Sequence, residues 1–234
     1  MFFSSMMMGG GNVFNIIIDS LTTDFNLRTK LNTFGFNNNS PSIIDFKLNS
    51  GVTIGASTGT AKSWQTGTLA THHTVTITIE GTISGGGGAG GAGGTTQTGS
   101  CQDPGEDGVD GTDAMSFEAS GPTYNVILAS TATLNSGGGG GGGGGGFKGG
   151  EAGNEDGGDG GRGQGYDQSA TNGQNVGPYA GAGGNGGAFG VDGEDGGDGE
   201  CPNGSGGASG YAIRKNSNTV NVTDNGATIN GTVG

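Results

Sequence analysis

The chain has 234 residues, of which 60 are glycine, and it sets 21 acidic side chains against 8 basic ones for a formal charge of −13. Only 29% of it is hydrophobic, too little for an ordinary side-chain core along the whole length. The acidic balance argues against nucleic-acid binding through phosphates, and no stretch approaches the roughly 18 apolar residues that span a bilayer.

The start, Met1-Phe2-Phe3-Ser4-Ser5-Met6-Met7-Met8, has no basic n-region and no long apolar run, so no signal peptide is expected. Ile16-Ile17-Ile18 reads as a short buried strand or an anchoring segment. A helix follows: Asp24 is a candidate N-cap, Leu27, Leu31 and Phe34 share one face, and Gly35 fits the C′ position. Ser42 to Leu48 and Val52 to Ile54 read as two strands joined by a tight turn at Asn49-Ser50-Gly51. Thr74 to Ile79 alternates strictly, which predicts a half-buried strand with Val75, Ile77 and Ile79 inward.

A repeat then emerges. Val75-x-Ile77 with Ile83, Val126-x-Leu128 with Leu134, and Val220-x-Val222 with Ile229 each describe a strand, a polar turn and a second short strand. The first two copies run directly into glycine tracts, the second of which is ten glycines long, Gly137 to Gly146. Elsewhere in these tracts glycine keeps a period of three, as in Gly181, Gly184, Gly187, Gly190, Gly193, Gly196 and Gly199. Collagen shares that period but needs sustained phase and abundant proline. Here there are five prolines and the phase slips after Gly199.

A three-residue period also fits packed polyglycine II helices, whose backbone groups point outward and hydrogen-bond to neighbours. On that reading Gly137 to Gly146 is a central helix with glycine on every face, while Asp, Glu and Asn face outward on the peripheral ones. The competing reading is a disordered acidic linker. It is disfavoured by the repeated strands and the phased triplets.

The sequence resembles the glycine-rich receptor-recognising adhesins of T-even-like bacteriophage long tail fibres. The resemblance lies in the run from Asp24 to Gly35, in Ile43, Ile44 and the Asn49 to Ile54 turn, in Asn125 to Leu128 with Leu134 to Gly137, and in Gly210 to Asn218. It covers roughly residues 24–234 and implies a polyglycine II bundle whose far-end loops bind outer-membrane proteins or other surface receptors. Those adhesins carry a Trp-containing N-terminal attachment domain. This chain has instead about 20 residues beginning Met1-Phe2-Phe3, which suggests docking of a Met/Phe-rich start in an apolar groove of a tail protein. Its heavier acidic content points to a different receptor chemistry.

No catalytic constellation is assembled. His72 and His73 would face opposite sides of a strand, and no nucleophile elbow, HExxH or Walker loop is present. Acids cluster at Glu106, Asp107, Asp110 and Asp113, at Glu155, Asp156 and Asp159, and at Asp192, Glu194, Asp195 and Asp198. They read as solvated surface acids in preference to a calcium site, because the apolar position and the nine-residue period of calcium-binding repeats are missing. Cys101 and Cys201 either form one disulfide or are both free. No cofactor or metal is expected.

The interruptions in glycine are the candidate receptor contacts. Gln164 to Ala180 is the longest and supplies Tyr166, Asn172, Asn175 and Tyr179, residue types suited to adaptable binding loops. Phe147, Lys148 and Phe189 are further candidates.

The expected fold is a small, mostly β, α/β N-terminal platform followed by a polyglycine II bundle, with little regular helix. The expected division is an attachment segment over 1–23, a helix and β platform over 24–84, a glycine-rich bundle over 85–210 with a strand insert at 124–136, and a closing β segment over 211–234. The expected function is a non-enzymatic tail or fibre tip adhesin acting extracellularly as part of the virion. Its partners would be tail or fibre proteins, a bacterial outer-membrane protein or surface glycan, and a plausible homotrimeric arrangement. A structural tail-tip or fibre-cap protein is the alternative. A secreted calcium- or ice-binding glycine-rich protein is less favoured.

Overall fold

The computed structural model describes residues 3–8, 11–97, 100–118, 120–149 and 154–234. Among them the chain is almost entirely β. Its one helix is the six-residue Leu27–Asn32.

Three stacked ladders form the body. The first has six strands, in the order Phe3–Met8, Gly11–Ile18, Ser42–Leu48, Thr74–Ile79, Tyr124–Leu128 and Val220–Asp224. All of its pairings are parallel except that of Phe3–Met8 with Gly11–Ile18. The second stacks Thr22–Thr23, Thr53–Gly55, Thr82–Ser84, Thr133–Asn135 and Thr228–Asn230, all in parallel. The third does the same with Phe25–Asn26, Trp64–Gln65, Met115–Ser116, Tyr211–Arg214 and Thr232–Val233. Each of five successive turns of chain therefore contributes one strand to each ladder.

This stacking follows from the alternation. In the five parallel strands of the first ladder one face is largely apolar, and parallel pairing places those faces in rows. Phe14, Ile44, Val75, Tyr124 and Val220 form one row, and Ile16, Phe46, Ile77, Val126 and Val222 the next. The second ladder adds Ile54, Ile83, Leu134 and Ile229, and the third Phe25, Trp64, Met115 and Ile213. Nearly all of these side chains are buried in one continuous core. Each large aliphatic contributes about 1.5–3 kcal/mol by leaving water. Aromatic contacts run through the core from Phe25 to Phe46, Trp64, Phe117 and Tyr124, with ring centroids 4.7–5.6 Å apart.

The expected fold is thereby corrected. No α/β platform at the N-terminus is followed by a separate polyglycine II bundle, because every ladder combines strands from residues before, between and after the glycine tracts. An edge strand leaves a row of backbone groups unpaired. The strands of 115–135 and 211–233 meet that need for the N-terminal strands by stacking on them. The glycine tracts are excursions at one corner. They leave the second ladder after Ser84 and after Asn135, and return into the third at Met115 and at Tyr211.

Local expectations fare variously. The three-copy repeat is real, but its register is shifted by two residues: Val126 lies beside Ile77, not Val75. A two-residue shift keeps the same face inward. Turns of unequal length absorb the difference, between Ile79 and Thr82 in one copy and between Leu128 and Thr133 in the next. Asn49-Ser50-Gly51 is a turn with Gly51 at φ +76°, yet it makes no hairpin, because the flanking strands belong to different ladders. The helix is capped by Asn26, whose side chain accepts from Thr29 N at 2.9 Å. Asp24 instead takes φ +51° and accepts from Ser57 N. His72 and His73 precede the strand in a turn with their rings 4.4 Å apart, so they do not point to opposite faces. Burial holds the His73 imidazole below its ordinary pKa, and Nε2 lies 3.2 Å from Asn38 Oδ1. Of the expected attachment segment, Met1, Phe2, Gly9 and Gly10 lie outside the described residues.

Candidate functional site

The glycine excursions form an array whose central segment is held by backbone contacts. Gly137 to Gly146 is buried throughout. Its N–H groups donate with a period of three to three neighbours. Gly137, Gly140 and Gly143 reach Thr112, Val109 and Glu106; Gly138, Gly141 and Gly144 reach Gln164, Gly161 and Gly158; Gly139, Gly142 and Gly145 reach Val191, Glu194 and Gly197. Its carbonyls accept from three more segments, through Gly88, Gly91 and Gly94, through Gly181, Gly184 and Gly187, and through Gly204, Gly207 and Gly210. These bonds measure 2.7–3.1 Å, and they meet the demand that buried backbone groups be paired. Close approach excludes any side chain here: a Cβ on Gly141 would run into the Gly184 carbonyl oxygen.

The outer segments lack a neighbour on one side, and acids supply what is missing. Asp107, Asp110 and Asp113 accept from the N–H groups of Ser205, Ala208 and Tyr211 at 2.7–2.9 Å. Asp192 and Asp195 accept from Ser209 and Gly206, and Asp156 and Asp159 from Thr96 and Gly93, at 2.7–2.9 Å. These are charge-assisted bonds. Such acids are not simply solvated, as their clustering suggested; they close the edge of the array. Among the described residues no group of three or more His, Cys, Asp or Glu is arranged to hold a metal ion.

Asp113 also joins the array to the body. It takes two bonds from Arg214, at 2.6 and 2.9 Å, while the Arg214 guanidinium lies 4.0 Å from the centre of the Tyr211 ring. The bond to Asp113 raises the Arg214 pKa further.

The array has a near end at the body and a far end at most about 35 Å away, the reach of its ten-residue central segment. The candidate residues divide between them. Tyr166 lies at the near end: its N–H donates to Gly85 O at 2.8 Å, and its ring occupies the space a Cβ on Gly55 would need. Phe189 is also there, with its N–H on Gln164 Oε1 and Gly190 N on Ser136 O. Asn172 and Asn175 are exposed on an outer flank, in a segment bonded through Thr171 N to Arg162 O and through Gln174 N to Asp159 O.

Phe147, Lys148 and Tyr179 come together at the far end. The Phe147 and Tyr179 rings stack with centroids 5.0 Å apart and planes 27° apart, and Tyr179 is 53% exposed. Phe147 exchanges backbone bonds with Glu155, whose carboxylate accepts from Tyr179 N at 3.4 Å. Lys148 N donates to Glu200 Oε2 at 3.1 Å. Beside them lies a short antiparallel hairpin, Thr95–Gln97 with Ser100–Asp103. Cys101 in this hairpin is disulfide-bonded to Cys201, with Cα atoms 5.6 Å apart. The sequence leaves that pairing open, offers Glu155 only as one of the solvated surface acids, and gives no signal for Glu200. Phe147, Lys148 and Tyr179 were legible as aromatic or charged interruptions in glycine; their meeting with the disulfide was not.

A rigid backbone array on stacked β ladders, ending in a stapled group of aromatic and polar loops, defines a display protein built to present surface contacts. The chain belongs to the phage tail fibre adhesins: the family model described as "Phage tail fibre adhesin Gp38" matches residues 13–234. It is accordingly a virion component of the tail fibre that acts in attachment at the host surface. No curated protein matches. Among solved structures, the "gp37-gp38 adhesin tip complex of the bacteriophage S16 long tail fiber" is similar at 17% identity, with a TM-score of 0.49, covering 93% of this chain and 81% of that one.

Proposed function

We propose that this adhesin binds a bacterial surface molecule, an outer-membrane protein or a surface glycan, through the far end of its glycine array, and does so without catalysis. The observation that carries this reading is the stacked Phe147–Tyr179 pair at the end of the backbone lattice farthest from the body, where half-buried Phe147 holds the exposed Tyr179 ring. Exposed aromatics held rigid are efficient anchors, because little conformational freedom remains to be lost on binding. Lys148 adds a charge beside them, and Asn172 and Asn175 extend the surface along the flank. Tyr166 and Phe189 lie at the near end, outside this contact, and would serve only a receptor that reaches down the array to the body.

The body end is then free to meet the rest of the tail. A tail or fibre protein docking on the N-terminal strands suits this arrangement, since Phe3–Met8 is an uncharged edge strand of the first ladder. The test is host-cell adsorption by the full chain carrying Phe147→Ala and Tyr179→Ala. Loss of roughly tenfold or more per anchor is expected. Unchanged adsorption by the double variant would overturn the assignment of the far end.

A further inference from the structure

The far-end hairpin has no core of its own. None of its described residues is buried, it pairs over few residues, and its register is irregular between Thr95 and Thr96. A two-stranded hairpin of that kind is marginal in water. Thr96 ties its first strand to the neighbouring loop, through N–H to Asp156 Oδ1 at 2.9 Å and hydroxyl to Glu155 O at 3.4 Å. On the second strand, the covalent tie is Cys101 to Cys201, which closes a separation of 100 residues.

The cysteine partner is wired to the aromatic pair. Cys201 is 2% exposed, and its N–H donates to Gly146 O, immediately before Phe147. The adjacent Glu200 accepts from Lys148 N, and Pro202 O accepts from Gly105 N. The disulfide thus clamps the hairpin onto the loop that positions Phe147 and Lys148, and through Phe147 the stacked Tyr179.

A tail fibre protein is made in the reducing interior of a bacterium and works outside it, where disulfides persist. We propose that Cys101–Cys201 is a redox latch for the receptor-binding end, open while the protein is inside the cell and closed after release. This rests on the far end being the receptor contact.

Closure needs an outside oxidant, and a low-molecular-weight disulfide suffices. The thiolate of Cys101, the more exposed of the two sulfur-bearing residues, attacks it and expels one small thiolate, leaving a mixed disulfide. The Cys201 thiolate then attacks Cys101 sulfur and expels the second. Two protein thiols are oxidised by two electrons, the small disulfide is reduced to two thiols, and the two protons pass to the released thiolates. The latch acts at the far end, because Cys201 bonds the central segment at its last residue, Gly146, and the body's ladders contain neither cysteine.

The test compares host-cell binding by the full chain when oxidised, after treatment with dithiothreitol, and as the C101S/C201S variant, with amide exchange read by segment. The latch predicts roughly tenfold or greater loss of binding on reduction, with faster exchange in 95–97, 100–103 and 199–202 and continued protection of 137–144. Re-oxidation with glutathione disulfide restores binding, a readout that holds even if the serine variant fails to fold. Reduced protein that binds within about twofold of oxidised protein, or a hairpin whose exchange does not change on reduction, overturns the latch. The F147A/Y179A variant separates the two ideas. If it loses binding while reduction has no effect, the latch fails and the far-end contact stands. If neither change matters, the far-end contact itself fails and the latch with it.

Discussion

The body and the glycine array meet one requirement in opposite ways. Buried backbone groups must be paired. In the body, ladders pair them in a sheet and leave two faces free, so side chains such as Ile16, Phe46, Ile77 and Val126 fill the interior. In the array, Gly137 to Gly146 is bonded to neighbours in six directions and no face remains. The core of one region is made of side chains; the core of the other depends on their absence. Side chains in the array move to its perimeter, where carboxylates such as those of Asp107, Asp110, Asp192 and Asp195 take the N–H groups that have no carbonyl partner.

That contrast can be broken by substitution. The largest effect is expected where a side chain is added. In Gly141→Val the new atoms meet the Gly184 carbonyl, which the lattice cannot yield without losing bonds on several sides, so a loss above about 4 kcal/mol is expected. Ile77→Ala in the body removes a side chain and is expected to cost about 2–5 kcal/mol through the cavity it leaves. Denaturant melts of both variants decide the point. If the valine were tolerated as easily as in a linker, the packed array would be wrong.

The joint between the regions comes next. Asp113→Ala removes an acceptor from Tyr211 N and both bonds to Arg214. Because the Arg214 side chain is 38% exposed, the expected cost is discounted from that of a fully buried pair to about 2 kcal/mol. Accelerated exchange should appear first at Tyr211 and Ala114, whose bond lies at this joint.

Much of the body was legible in the sequence. The alternation of Thr74 to Ile79, the apolar face of the helix and the three-copy repeat all follow from side-chain period, which chemistry writes locally. The grouping of strands into ladders was not legible. It depends on which strand stacks on which, from Ile213 beside Val233 to Met115 beside the far more distant Ile213, and the glycine excursions between Ser84 and Met115 and between Asn135 and Tyr211 hide that the neighbouring strands belong together.

The candidate site was only partly readable for the same reason. Phe147 and Tyr179 each stand out as aromatics amid glycine, but their stacking depends on where two excursions turn back. The acids were visible as clusters, and the spacing of Asp107, Asp110 and Asp113 by three was the signal that they face one neighbouring segment. Asp24 misled because Asn26, two residues on, is the side chain that reaches the first helical turn.

The central claim is that the ten glycines form a hydrogen-bonded core. It is tested most directly by hydrogen–deuterium exchange resolved to the amides of Gly137 to Gly145. The account predicts protection comparable to that of Ile77 and Val126 in the first ladder. Exchange of those glycine amides within seconds, while the ladder amides stay protected, would contradict it.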